Sequence, residues 1–426
     1  MNERPIGVDL FAGAGGMSLG FEQAGFDVAA CVELDPIHCA THEFNFPQTK
    51  VICASVADIS GDEIRRRAGL GGRNIDVVFG GAPCQGFSMI GKRAFDDPRN
   101  RLVYHFVRIV KELDASYFVF ENVTGRTVGE HKKFLNEIVE EFSACGYDVL
   151  LPWKVLNAAE YGVPQDRRRL FLMGAKRGFE LPRYPQQPFR KPGSAQGDLD
   201  LPVGPCVWDA LRDLPEAEAF AELVDSDCVK ARYGEPSRYA LMLRGLTNSD
   251  DDYSHPRLYD REMLTSSARA DHTQLSRRRF KATAHGETEP ISRFHKLDPA
   301  GVSNTLRAGT ASDRGAFTSP RPIHPFSHRC ITVREGARLH SYPDWFRLHA
   351  SKWHGFRQIG NSVPPLLARA VASAVVDAIG VRPARPRKAI ALGDPSLLYL
   401  DMREASARYE VPSDTIAKRQ RLAANG

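Results

Sequence analysis

The run Gly80-Gly81-Ala82-Pro83-Cys84-Gln85-Gly86-Phe87-Ser88 follows the apolar segment Ile75-Asp76-Val77-Val78-Phe79. That segment has the length and β-branched content of a buried strand. Two glycines behind it let the backbone turn sharply at the strand's carboxyl end, the edge at which open α/β sheets hold their ligands. Pro83 fixes φ and has no N–H, so it stiffens the turn that presents Cys84. A lone cysteine is usually a packing residue. Glycines before it and a polar Gln-Gly-Phe-Ser after it are not core surroundings, so this thiol reads as a nucleophile.

Upstream, Asp9-Leu10-Phe11-Ala12-Gly13-Ala14-Gly15-Gly16-Met17-Ser18-Leu19-Gly20-Phe21 reads as a strand end, a glycine turn and the start of a helix. Glycines there let a ligand approach the backbone, and the helix offers free N–H groups. The next strand, 28–32, ends in Glu33, about twenty residues beyond Gly13, where a carboxylate can take ribose hydroxyls. A nucleoside-cofactor site is expected. A nicotinamide dehydrogenase uses the same parts, but its glycine pattern counted from Gly13 needs glycine where this chain has Ser18.

Downstream, the strand 117–120 delivers Glu121-Asn122-Val123 to the same sheet edge as Cys84. A partly desolvated carboxyl there has a raised pKa and can hydrogen-bond a base edge as a neutral acid; a helix cap is the bland alternative. A strand region over 149–156 precedes Gln165-Asp166-Arg167-Arg168-Arg169, in which alternation sends Arg167 and Arg169 to one face and Arg168 to the other. Gln358-Ile359-Gly360-Asn361-Ser362-Val363-Pro364 is expected to open a helix running to about residue 378.

Together these segments resemble the cytosine-C5 DNA methyltransferase family, over about residues 6–175 and 329–375. The resemblance implies that Cys84 attacks C6 of cytosine, making C5 nucleophilic enough to take a methyl group from S-adenosylmethionine. It assigns the donor to Phe11, Gly13 and Gly16, its ribose to Glu33, and its adenine to Asp58 and Ile59. Asn361, Ser362 and Val363 complete that pocket. Glu121 would hold cytosine N3 and the amino group, Arg169 would reach O2, and Arg167 would brace the site. The loop 89–100 would close over DNA, with Ser88, Lys92 and Arg93 as contacts.

From about Lys176 the character changes to a proline- and glycine-rich stretch without usable periodicity, which reads as a linker. The resemblance makes the middle of the chain a target-recognition domain, expected over 186–328. Its densest basic patch, Arg277-Arg278-Arg279, is a phosphate-contacting candidate, and Thr305 is expected against the DNA backbone. His340, in the segment 332–344 that resembles the family's packing segment, is expected to be structural. Beyond a linker over 382–388, the tail from Asp401 suggests a helical hairpin docked on the core. A helix-turn-helix with Lys418, Arg419 and Arg421 on its second helix is the sharper alternative.

At 426 residues, 42% hydrophobic and 26% charged, the chain suits a two-domain globular protein. The polar start and the absence of a long apolar run predict a cytoplasmic protein without membrane segments. Eight scattered cysteines show no zinc spacing, so no metal is expected and the thiols should be reduced. A net charge of +5 fits a nucleic-acid partner without requiring one.

The expected fold is α/β: a Rossmann-like S-adenosylmethionine-dependent methyltransferase domain over 1–185 and 329–380, with the smaller recognition domain inserted and a tail over 381–426. The expected function is sequence-specific methylation of a flipped cytosine in duplex DNA by a monomer, with a cognate restriction endonuclease as a functional partner. A tRNA cytosine-C5 methyltransferase is the alternative, disfavoured because no Cys-Phe-Thr tripeptide occurs. A DNA-binding regulator without activity would not need Cys84, Glu121 and the arginines together.

Overall fold

The computed structural model describes residues 4–83, 101–123, 128–194, 200–247, 250–309 and 321–415. The short β-branched runs form β1 (Ile6–Leu10), β2 (Asp27–Glu33), β3 (Lys50–Cys53), β4 (Val77–Gly80) and β5 (Tyr117–Val123). These pair in parallel, with Leu10 opposite both Val32 and Gly80. The expected strand over 149–156 is instead two, β6 (Tyr147–Val149) and β7 (Lys154–Asn157), both antiparallel to β8 (Arg168–Lys176). Pro152 between them has no N–H for a ladder. Among the described residues the sheet runs β3-β2-β1-β4-β5-β8-β6, with β7 also on β8. Strand order reverses between β1 and β4, which opens a crevice at their carboxyl ends.

Both faces of this sheet are buried, as a parallel sheet requires. Alternation splits each strand between two cores: Phe79 and Val119 face one, Val78, Phe118 and Phe120 the other. The helices α2 (Pro36–Asn45), α3 (Gly61–Arg67), α4 (Arg101–Glu112) and α5 (Val128–Ala144) connect the strands. α1 (Gly16–Ala24) is buried throughout its length. It packs against α11 (Pro365–Ile379), which closes the domain from the far end of the chain. The segment 358–364 does not open that helix. Gln358–Asn361 ends the preceding helix, α10 (Lys352–Asn361), because Pro364 and Pro365 cannot continue a helical ladder. Taken together Lys352–Ile379 has the length and hydropathy of a membrane span, but it is broken between α10 and α11, and 61% of its apolar 18-residue window is buried in this core.

Between β8 and α9 (Val333–Leu339) lie α6 (Val207–Leu211), β9 (Val229–Lys230), α7 (Arg238–Leu243), β10 (Arg257–Leu258), β11 (Met263–Leu264) and α8 (Gln274–Ala282). Buried ion pairs tie this middle region to the core. Arg338 is clamped between Asp213 at 3.1 Å and Asp344 at 2.5 Å, and Arg257 meets Glu22 of α1 at 2.8 Å. Breaking such a pair by removing one partner costs about 3–5 kcal/mol, because the other charge stays buried.

The stretch 382–388 is docked rather than free: Arg4 donates to the Ala384 carbonyl at 3.0 Å, and β12 (Ile390–Ala391) pairs with β10. α12 (Met402–Tyr409) packs on α2, with Tyr409 donating to Glu43 at 2.6 Å. The first helix of the expected hairpin is thus docked on the core. Ile416, Lys418, Arg419 and Arg421 lie outside the described residues.

The α1–α11 contact depends on small residues. A Cβ on Gly20 would lie 2.4 Å from Ala368 Cβ and 2.7 Å from the backbone of Pro365 and Arg369. Alanine gains about 1 kcal/mol of helix propensity over glycine, against about 1–3 kcal/mol for overpacking a core. Gly20→Ala should therefore lower the thermal midpoint by a few degrees. Gly72→Ala, whose Cβ meets nothing within 4 Å, should leave it unchanged. Calorimetry of both variants checks the pair.

Candidate active site

The carboxyl ends of β1, β2, β4 and β5 surround a cavity of about 550 Å³. Such volumes are usual for small-molecule sites. Gly13 and Gly16 form one wall, Glu33 and Leu34 a second, and Asn361–Val363 close it from the far end of the chain. Glu33 accepts from the N–H of Gly13 and from that of Asp35, each at 2.8 Å, so the acid and the glycine turn are held together. A Cβ on Gly16 would sit 2.6 Å from the Val363 carbonyl, so only glycine lets α1 begin against the returning segment. Phe11, at φ +60, also lines the cavity. The wall expected at Asp58 and Ile59 is formed by Ala54, Ser55 and Val56, while Asp58 is exposed and Ile59 is buried in the core. Arg357, which the sequence reading missed, also lines it and pairs with Asp35 at 2.6 Å.

Glu121 and Arg169 face the mouth of this cavity. They sit on paired strands, β5 and β8, and Arg169 Nε meets Glu121 Oε1 at 2.8 Å. Burial pushes the Glu121 carboxyl up, against the pull of Arg169 and Arg167. Gly81 makes room for it: a Cβ there would lie 2.3 Å from Glu121 Oε2. Arg167 is fully buried and Arg168 is exposed, as alternation predicts. Arg167 lies behind the cavity, donating to the carbonyls of Leu306, Gly360 and Ser362 at 2.7 Å each. Cys84, Ser88, Lys92 and Arg93 lie outside the described residues. Pro83, directly before Cys84 in sequence, lines the cavity.

A second, open cleft of about 1050 Å³ adjoins the first, sharing Val123, Arg169 and Gly360 with it. Its walls carry Arg168, Lys191, Arg293 and Arg307, with Asp166 as the acidic residue among them. Of these, Lys191, Arg293 and Arg307 are scattered along the chain, and no local pattern marked them. Thr305 lines this cleft and donates to the Asp166 carbonyl at 2.6 Å. The Arg277–Arg279 patch lies on α8, and two of its members are turned inward. Arg277 pairs with Glu218 at 2.5 Å and Arg279 with Glu289 at 3.6 Å, whereas Arg278 is exposed. Such ion pairs compete with phosphate for the same guanidinium donors.

The C-5 cytosine-specific DNA methylase family model matches residues 7–377. The chain belongs to that family. It is 60% identical over 418 residues, 98% of this chain and 95% of the relative, to Type II methyltransferase M.XorII of Xanthomonas oryzae pv. oryzae. It is 35% identical to Type II methyltransferase M1.HphI of Haemophilus parahaemolyticus, over 87% of this chain and 86% of the relative. A prophage-encoded E. coli protein described as a DNA modification methyltransferase superposes with a TM-score of 0.69 at 31% identity. The match covers 88% of this chain and 99% of that one. A methyltransferase of Entamoeba histolytica shares the fold at a TM-score of 0.52 and 15% identity, covering 88% of this chain and 99% of that chain.

The enzyme is thus a DNA cytosine-C5 methyltransferase, and its family uses S-adenosylmethionine. The first cavity fits that molecule. It combines an open glycine turn, where a Cβ on Gly13 would meet no protein atom within 4 Å, with a carboxylate at the end of β2 and apolar walls from Met17, Leu34 and Val56.

At the floor of this cavity Asp9 is 1% exposed. Its Oδ2 accepts the Ser18 hydroxyl at 2.6 Å, and the Ser18 oxygen lies 3.0 Å from His42 Nε2. Burial, helped by the charge of Glu33, pushes the Asp9 carboxyl up to about 8, while burial holds His42 down at about 3 and therefore neutral. Cys31, Glu33 and Tyr342 are the other titratable groups facing it. The fold holds this proton more tightly than the unfolded chain does, so stability is full below the ordinary carboxylate range and falls as pH rises toward 8. Asp9→Asn cannot ionise and keeps an acceptor for Ser18. Thermal midpoints from pH 5 to 9 should decline less steeply in Asp9→Asn than in the wild type; parallel profiles would contradict the assignment.

Proposed function

We propose that this methylase modifies a cytosine within one short duplex-DNA sequence, as the modification partner of a Type II restriction endonuclease. The identity to M.XorII across nearly the whole chain supports the Type II reading. The observation that carries the reaction is the Glu121–Arg169 pair at the junction of an enclosed cavity and a cationic cleft. Duplex DNA would lie in the cleft with phosphates on Arg293 and Arg307, and on Arg168 and Lys191 where phosphate displaces their pairing with Asp166, contacts that position it without reading sequence. The target base must leave the stack to reach Glu121, at a cost of roughly a few kcal/mol.

In this reading Glu121 meets cytosine N3, burial favouring the proton that the two share, and Arg169 fixes its carboxyl and reaches O2. The Ala82 carbonyl takes the amino edge. The thiolate of Cys84 adds to C6 while N3 takes up the Glu121 proton, which places the electron pair at C5. S-adenosylmethionine supplies an electrophilic methyl group. Loss of the C5 proton to a base then lets the Cys84–C6 bond break, returning the thiolate and the N3 proton. Gly13, Gly16, Glu33 and Asn361–Val363 hold the donor. Its adenine end is assigned to the wall at Ser55 and Val56, in place of Asp58 and Ile59. The segment between Lys176 and His328 reads the sequence.

Methyl-labelled donor should transfer to duplex DNA and not to tRNA, with the label recovered as 5-methylcytosine. Cys84→Ala should lose transfer by at least about 10³-fold, as removal of a nucleophile does. Label on tRNA, or near-normal transfer by Cys84→Ala, would overturn the reading.

A further inference from the structure

Two polar side chains of the core, Gln165 and His340, are fully buried and play no part in the chemistry above. Their hydrogen bonds have a fixed direction. Gln165 Oε1 accepts the Leu306 N–H at 3.1 Å, so the amide turns its Nε2 toward the Leu339 carbonyl at 3.2 Å and His340 Nδ1 at 3.0 Å. Both hydrogens of Nε2 are thereby used, and Nδ1 must accept. The imidazole hydrogen therefore sits on Nε2, which faces the Ser362 hydroxyl at 3.0 Å and the Ser362 carbonyl at 3.2 Å. Ser362 passes its own hydrogen to the Ile359 carbonyl at 2.9 Å. Burial and the neighbouring Arg167 hold His340 far below its ordinary pKa, so it stays neutral and the direction of the chain is kept.

The two ends of this chain of bonds lie in different sites. Leu306 begins the stretch Leu306–Ala308 along the cationic cleft, and Ser362 lines the enclosed cavity. A second, independent contact joins the same two segments. A Cβ on Gly360 would lie 2.1 Å from the Ala308 nitrogen, so the last turn of α10 rests directly on the cleft segment, and Gly360 lines both cavities.

We infer that Gln165 and His340 are positioning residues that join the cofactor-side segment Gly360–Val363 and the cleft segment Leu306–Ala308 into one wall, so that filling the enclosed cavity orders the cleft. The inference rests on reading the enclosed cavity as the cofactor site. Neither residue touches a reacting atom. Gln165 holds the cleft segment, His340 holds the cofactor-side segment, and the bond between them joins the two. A ligand bound against Ser362 restricts both segments because they cannot move apart without leaving Leu306 N–H, Nδ1 or Nε2–H unpaired and buried.

Hydrogen exchange with and without S-adenosylhomocysteine tests this without DNA and without turnover. In the wild type the product should slow exchange about fivefold or more, the lower end of ordinary coupling, in two peptides: one over 13–20 and one over 303–309. In His340→Leu the first peptide should remain protected while protection of the second falls to less than half, the remainder being carried by the Arg167 bonds to Leu306, Gly360 and Ser362. His340→Gln, which can still donate toward Ser362, should restore part of it. Should His340→Leu fail to fold, Gln165→Met, which keeps a similar volume but neither donates to His340 Nδ1 nor accepts the Leu306 N–H, takes its place with the same expectation. Wild-type-like protection of 303–309 in these variants overturns the inference. So does equal loss in both peptides, which is what a merely structural residue gives. No protection at 13–20 in the wild type instead overturns the cofactor reading, and the inference with it.

Discussion

One buried guanidinium holds three distant parts of this chain together. Arg167 has no solvent exposure, and its two terminal nitrogens donate to the carbonyls of Leu306, Gly360 and Ser362. Desolvation disfavours its charge strongly, and Arg169 nearby adds to the cost. Three charge-assisted bonds at 2.7 Å offset that penalty only while all three carbonyls stay in place. The end of the inserted region, the last turn of α10 and the approach to α11 are thus fixed relative to β8. Two residues along the same strand face, Arg169 inherits that placement and sets the carboxyl of Glu121.

The division of labour among the arginines explains a site that would otherwise look overcharged. Arg167 supports backbone, Arg169 supports a carboxyl, and Arg168 points into the cleft. One strand thereby serves the interior, the chemistry and the surface with successive residues, because β geometry alternates their direction. Stiffness elsewhere has the same origin. Arg338 between Asp213 and Asp344, and Arg329 between Glu216 and Glu335, anchor the inserted region beside the core.

Much of this was legible in the sequence because it is local. Strand alternation gave the faces of Arg167 to Arg169, glycine spacing gave the turn at Gly13–Gly16, and strand ends brought Glu33, Pro83 and Glu121 to one edge. What sequence could not supply was partnership across the chain. Arg277 and Arg279 read as a basic patch, yet Glu218 and Glu289, distant in sequence or across a turn, take their charge. Lys191, Arg293 and Arg307 are isolated cations that only the fold assembles. The break between α10 and α11 was misplaced because Gln358–Asn361 has no strong stop of its own; the two prolines that end the helix follow it. Asp58 was a lone acid in a turn, and its neighbours Ser55 and Val56 form the wall instead.

The central claim is that this arrangement methylates C5 of cytosine at a chosen sequence in duplex DNA. Bisulfite sequencing of DNA from a host that lacks cytosine methylation and expresses the chain tests it most directly. Conversion-resistant cytosines confined to one short recurring sequence are predicted. Complete conversion throughout, or resistance scattered without a common sequence, would contradict it.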